Sequence, residues 1–127
     1  MVSSISMKLK IYIVEDCSII AASLKQMVTR MGHSVAGISA SYEDAVSILT
    51  HINVDMVITD IMLSGKKNGI DLGIYVKENL NIPVIYQSSI TDSYLMQQAM
   101  LTQPLAYLVK PVNKQQLSNA LLSLAAA

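Results

Sequence analysis

Leu9-Lys10-Ile11-Tyr12-Ile13-Val14 runs without a break into Glu15-Asp16, and the fold turns on this stretch. A short apolar run closed by acids reads as a strand buried on both faces, because a half-exposed strand would alternate apolar with polar. The pattern recurs three times. Met56-Val57-Ile58-Thr59 runs into Asp60, Pro83-Val84-Ile85-Tyr86-Gln87 into Ser88-Ser89, and Ala106-Tyr107-Leu108-Val109 into Lys110-Pro111. Strands of this kind separated by helical stretches predict an open parallel sheet, whose ligand crevice lies along the C-terminal strand ends. Three carboxylates, a hydroxyl and an ammonium are thereby expected on one edge.

Outward from those runs, the apolar positions Ile20, Leu24, Met27, Val28 and Met31 follow helical spacing from Ser18, with Gly32 placed as the residue that ends the helix. A short strand is expected over Ser34–Ile38, then a helix capped by Ser41 and reaching about His51. Residues 64–69 read as plain loop, followed by a helix over about 70–79. Asn81-Ile82-Pro83 opens the fourth strand. Thr91 or Asp92 caps a helix to about Thr102, and Asn113 caps the last one. Five strands then alternate with five helices. Right-handed crossovers place helices on both faces of the sheet, which gives a three-layer α/β sandwich. Residues 8–124 are expected to form the domain, with 1–7 and 125–127 as frayed termini.

The bulk composition excludes several classes. Nine basic residues balance nine acidic ones among 127, so the basic footprint of a nucleic-acid binder is missing. The single cysteine, Cys17, allows no internal disulfide and fits a reducing cytoplasm. No run approaches the roughly 20 apolar residues of a membrane span. Charged residues make up 14%, against about 25% typically, and eight methionines accompany no Phe or Trp. A doubly covered sheet accounts for much of this; the remainder reads either as a sparsely charged docking face or as simple compositional drift.

The acids carry the chemistry. Glu15 and Asp16 close one strand and Asp60 another; if the strands are neighbours, the three repel unless a cation neutralises them. A hard divalent ion such as Mg²⁺, or Mn²⁺, suits such a site. Asp60 is the expected nucleophile, since a carboxylate attacks phosphorus to give an aspartyl-phosphate. Phosphoryl transfer needs mainly positioning and neutralisation. Lys110 supplies a point charge for phosphate oxygen, and Ser88 a hydroxyl donor. Ser88 and Ser89 also suit helix capping, Lys110 an ordinary surface position, and Tyr107 an ordinary core position. Cys17 has no histidine near it in sequence and reads as a buried or helix-starting thiol.

Taken in order and at this spacing, Glu15-Asp16, Asp60 in Val57-Ile58-Thr59-Asp60-Ile61-Met62-Leu63, Ser88-Ser89, and Tyr107 three residues before Lys110-Pro111 resemble the receiver domains of two-component response regulators. The resemblance spans Lys8 to Leu124. It implies a flavodoxin-like fold with strand order 2-1-3-4-5. It implies that a sensor histidine kinase or phosphotransfer protein passes phosphoryl to Asp60. Glu15 and Asp16 would hold Mg²⁺ with Asp60 and the backbone carbonyl of Met62. Ser88 and Tyr107 would form the switch, Lys110 would pair with a phosphoryl oxygen, and its bond to Pro111 would be cis. A downstream protein would bind the face built by helix 4, strand 5 and helix 5. No direct nucleic-acid contact, membrane insertion or turnover beyond the chain's own phosphorylation and dephosphorylation is implied.

Four departures from the family pattern stand out. Glu15 replaces the commoner Asp and reaches metal directly or through water. Ser89 replaces a small residue, often Ala, that controls access to the phosphoryl group. The loop after Asp60 is longer than the commonest form and has Ser64 in place of the usual Pro. Met62 and Ile90 are apolar where side chains tune hydrolysis of the acyl phosphate. Neither orients an attacking water, so a long-lived phospho-Asp60 is expected. Two other functions compete: a phosphorylation-independent docking module, disfavoured by retention of the site residues, and a Mg²⁺-dependent phosphatase. The second commonly needs an acid two residues after the nucleophile, where Met62 stands.

Overall fold

Each apolar run becomes a strand. In the computed structural model, which describes residues 8–89 and 93–126, β1 (Lys10–Val14), β2 (Ser34–Ser39), β3 (Met56–Asp60), β4 (Val84–Ser88) and β5 (Ala106–Val109) form one sheet. All four pairings are parallel and the order is β2-β1-β3-β4-β5, the doubly wound arrangement expected for a flavodoxin-like fold. Helices α1 (Ser18–Arg30), α2 (Tyr42–Leu49), α3 (Gly69–Tyr75), α4 (Ser93–Leu101) and α5 (Lys114–Ala126) connect and close it. α5 carries the helix two residues past Leu124. The expected caps Thr91 and Asp92, together with Ile90, lie outside the described residues.

Alternation along the strands sorts two cores. Ile11, Ile13, Met56, Ile58 and Ile85 pack with Ala21, Leu24 and Val28 of α1 and with Leu117, Ala120 and Leu121 of α5. Tyr12, Val14, Val57, Val84 and Tyr86 pack on the other face with α2, α3 and Ala99 of α4. Burying each large side chain is worth about 1.5–3 kcal/mol. A one-residue slip of any central strand would exchange its two sets of side chains, so the register is strongly held.

Local chemistry sets the helix ends. Ser41 caps α2 by accepting from the Asp44 N–H. Gly32, at φ +96°, supplies the left-handed residue after α1. The 64–69 stretch is more than a loop: Asn68 Oδ1 accepts from the N–H groups of Ile70 and Asp71, while Asp71 Oδ2 accepts from the Asn68 N–H. That reciprocal box starts α3. The expected single helix over about 70–79 is α-helical only to Tyr75. It continues as a π-helical turn over Val76–Leu80 and stops at Asn81, at φ 55°. Asn81 therefore ends a helix rather than opening a strand, and β4 begins at Val84.

Candidate functional site at the C-terminal edge of the sheet

Register brings the strand ends together. Val14 pairs with Thr59, which sets Glu15 beside Asp60; Asp60 pairs with Gln87, and Ser88 with Val109. Lys110 then follows β5 directly, and its N–H donates to the Ser88 carbonyl at 2.9 Å. Alternation decides which way each residue faces. Glu15, Asp60, Gln87 and Lys110 each lie two residues beyond Ile13, Ile58, Ile85 and Leu108, all of which pack toward α1 and α5. Ser88 and Tyr107 share the opposite parity, that of Tyr86, toward α3 and α4.

The first group is tied together by hydrogen bonds. Lys110 Nζ lies 2.8 Å from Glu15 Oε1 and 2.6 Å from Asp60 Oδ2. Asp60 Oδ1 accepts from the Met62 N–H at 3.2 Å. Glu15 Oε2 accepts from the Cys17 N–H, and Oε1 from the Gln87 amide at 3.2 Å. Asp16 is exposed, and its Oδ2 accepts from the Ser64 hydroxyl. Ser64 also bridges to Ser41, so the long loop after β3 is tied to the start of α2.

Glu15 and Asp60 are buried, and each offers a carboxylate oxygen that lies, with one from Asp16, within 4.8 Å of the other two. Burial pushes the Glu15 carboxyl above its ordinary range; Lys110 and the Cys17 N–H oppose this, and the Asp60 charge adds to it. For Lys110, burial favours the neutral amine, but its hydrogen bonds to Asp60 and Glu15 outweigh that and hold the ammonium above the usual lysine value. Three acids facing one ammonium leave negative charge in excess. The donor set is hard oxygen throughout, which suits Mg²⁺ or Mn²⁺.

The remaining expected residues fall as follows. Ser88 is fully buried at the end of β4. Tyr107 pairs with Tyr86 in register, and its hydroxyl is buried without a hydrogen-bond partner among the described residues. Met62 is 54% exposed, two residues beyond Asp60. Ile90, paired with it as a hydrolysis-tuning residue, lies outside the described residues. Ser89 is exposed and lines a cleft of about 580 Å³ together with Ile20, Met27, Gln87, Lys110 and Pro111. The Lys110–Pro111 bond is cis. Cys17 is exposed, not buried, and precedes the first residue of α1.

Gln87 was not among the expected site residues, although its signal was present. It is an amide closing an otherwise apolar run, two positions after a core isoleucine. Gly69 escaped for a different reason: a Cβ there would overlap the carbonyl oxygen of Asp60, a contact made only when α3 packs beneath β3.

The model of the response regulator receiver domain matches residues 11–122. An uncharacterised response regulatory protein of Staphylococcus epidermidis is 34% identical over 114 residues, covering 88% of this chain and 45% of that protein. Chemotaxis protein CheY of Thermotoga maritima is 27% identical over 113 residues, covering 88% and 93%. The chain spans about half the length of several of the curated relatives it matches. Among solved structures, the signal receiver domain of a modulated diguanylate cyclase from Desulfovibrio desulfuricans G20 superposes with a TM-score of 0.87 at 29% identity. That match covers 92% of this chain and 93% of the other.

Proposed function

The chain belongs to the response regulator receiver domain family, and from that premise we propose that it is a phosphoryl-accepting switch with Asp60 as the acceptor. A sensor histidine kinase or phosphotransfer protein supplies the phosphoryl group from phosphohistidine. An Asp60 carboxylate oxygen forms the new O–P bond as the N–P bond breaks; the imidazole nitrogen keeps the bonding pair. Bound Mg²⁺ or Mn²⁺ would neutralise the charge shared among the phosphoryl oxygens. Asp16, Asp60 and Glu15 would hold it, with the Met62 carbonyl completing the protein's share.

The chain's own groups do the positioning. The Met62 N–H and the Lys110 ammonium hold one Asp60 oxygen each, so the carboxylate presents a fixed face to the donor. Lys110 moves from Asp60 to a phosphoryl oxygen, and the Ser88 hydroxyl donates to another. Tyr107, beside Tyr86 in register and with its hydroxyl buried, follows Ser88 and alters the surface of α4, β5 and α5, where a protein target binds. No helix among the described residues is long and apolar enough to cross a membrane, and we place the switch in the cytoplasm.

The observation that carries this reading is the ammonium of Lys110 bridging Asp60 and Glu15 within an otherwise acidic cluster. Intact mass after incubation with Mg²⁺ and acetyl phosphate tests it. A gain of one phosphoryl group is expected, lost in Asp60→Asn and without the metal. No gain from a folded chain would overturn the switch in favour of a phosphorylation-independent docking module.

A further inference from the structure

We propose that Gln87 is a positioning residue for the metal and phosphoryl site, acting through Glu15; the inference rests on the switch described above. Gln87 is 2% exposed at the end of β4 and shares a face with Glu15, Asp60 and Lys110. A carboxylate only accepts, so the amide nitrogen is the end that meets it, and Nε2 donates to Glu15 Oε1 at 3.2 Å. The same oxygen receives Lys110 Nζ at 2.8 Å, while Oε2 is held by the Cys17 N–H. All three donors fix a glutamate whose extra methylene would otherwise let its carboxylate swing.

The two donors on Oε1 differ in what the switch does to them. Lys110 is shared with Asp60, and pairing with a phosphoryl oxygen draws the ammonium away from Glu15. Gln87 is uncharged, and its one hydrogen bond from Nε2 among the described residues goes to Glu15. It keeps Oε1 paired when Lys110 leaves, so that a buried carboxylate is not left with one side bare, which is costly in a poorly solvated site. An amide at this position therefore complements a glutamate at position 15. Hydrogen-bond partners of metal-holding carboxylates orient them, and their loss weakens metal binding.

The test is a double-mutant cycle read by Mg²⁺ titration of the ¹⁵N-labelled chain. The wild-type titration comes first: no Mg²⁺ binding there would remove the switch reading and this inference together. With binding established, Gln87→Met, similar in volume but without a donor, is expected to weaken Mg²⁺ about tenfold. In a Glu15→Ala background, the same change should have almost no effect. An equal loss in both backgrounds, or no loss in either, would overturn the inference while leaving the switch intact. Should Glu15→Ala fail to fold, Glu15→Asp serves, because the shorter arm withdraws the acceptor and keeps the charge. The Gln87 side-chain amide resonance, assigned by its disappearance in Gln87→Met, should then shift from its wild-type position; an unmoved resonance refutes the contact.

Discussion

Nζ of Lys110 stands 2.6 Å from Oδ2 of Asp60, an ion pair between the ends of two strands that are not neighbours, since β4 runs between β3 and β5. Both side chains are largely buried, so the pair holds the sheet's C-terminal edge as well as poising the acceptor. Replacing Lys110 by Met strips three clustered carboxylates of their ammonium. We expect a loss of about 2–3 kcal/mol in denaturant unfolding without divalent metal. Added Mg²⁺ should restore more stability to Lys110→Met than to the wild type, because it then supplies the countercharge that Lys110 no longer provides. Equal gains from Mg²⁺ in both would contradict this account.

Gly69, the first residue of α3, lies against the backbone of Asp60. A methyl group there would overlap the Asp60 backbone carbonyl, and the Gly69 N–H already donates to the Ile61 carbonyl at 2.7 Å. Backbone cannot yield as a flexible side chain can. Gly69→Ala should cost about 3 kcal/mol and slow acetyl phosphate uptake by displacing the acceptor. Chemical denaturation and timed intact-mass measurements read the two effects separately.

The Tyr107 hydroxyl is buried with no hydrogen-bond partner among the described residues. An unpaired buried hydroxyl costs stability, so Tyr107→Phe should be neutral or stabilising by up to about 1 kcal/mol in the unphosphorylated chain. If the hydroxyl gains a partner when Asp60 is phosphorylated, the same change weakens the phosphorylated state relative to the unphosphorylated one. Thermal unfolding with and without the stable phosphoryl mimic beryllofluoride compares the two.

Met62, two residues beyond the acceptor and bonded to it through its backbone N–H, is 54% exposed. An apolar group there neither orients nor delivers the water that would attack phospho-Asp60 in line. Met62→Asn, alone and with Ile90→Glu, should shorten the lifetime of the phosphorylated chain, measured as loss of phosphoryl mass after donor removal. An unchanged or longer lifetime would refute the role.

His33 gives a pH dependence away from the site. Its Nδ1 accepts from the Leu9 N–H, and burial holds the imidazole below its ordinary value of 6.5. A depressed folded value means the unfolded chain binds the proton first as pH falls. The contribution of neutral His33 is thus complete above about pH 6.5 and is lost as pH falls toward the folded value. His33→Gln should flatten this part of the stability profile; a difference between the two profiles that does not vary below neutrality would exclude His33.

Much of the molecule was legible in the chain because the decisive patterns are local. Apolar runs ending at Glu15, Asp60, Ser88 and Lys110 marked the parallel strands, and position at a strand end placed those residues on one edge before any pairing was known. Ser41 and Gly32 marked helix ends through their own side chain and backbone freedom. What tertiary structure alone decided is who meets whom. Glu15 meets Gln87 across 72 residues of chain and Lys110 across 95. The Asp60 carbonyl demands glycine at 69 only because α3 docks beneath β3. The hydroxyl of Tyr107 is buried without a hydrogen-bond partner among the described residues, which nothing local to its strand foretells. Secondary structure follows from residues a few positions apart, whereas hydrogen-bond partnership and close approach depend on register and packing among segments that the sequence keeps far apart.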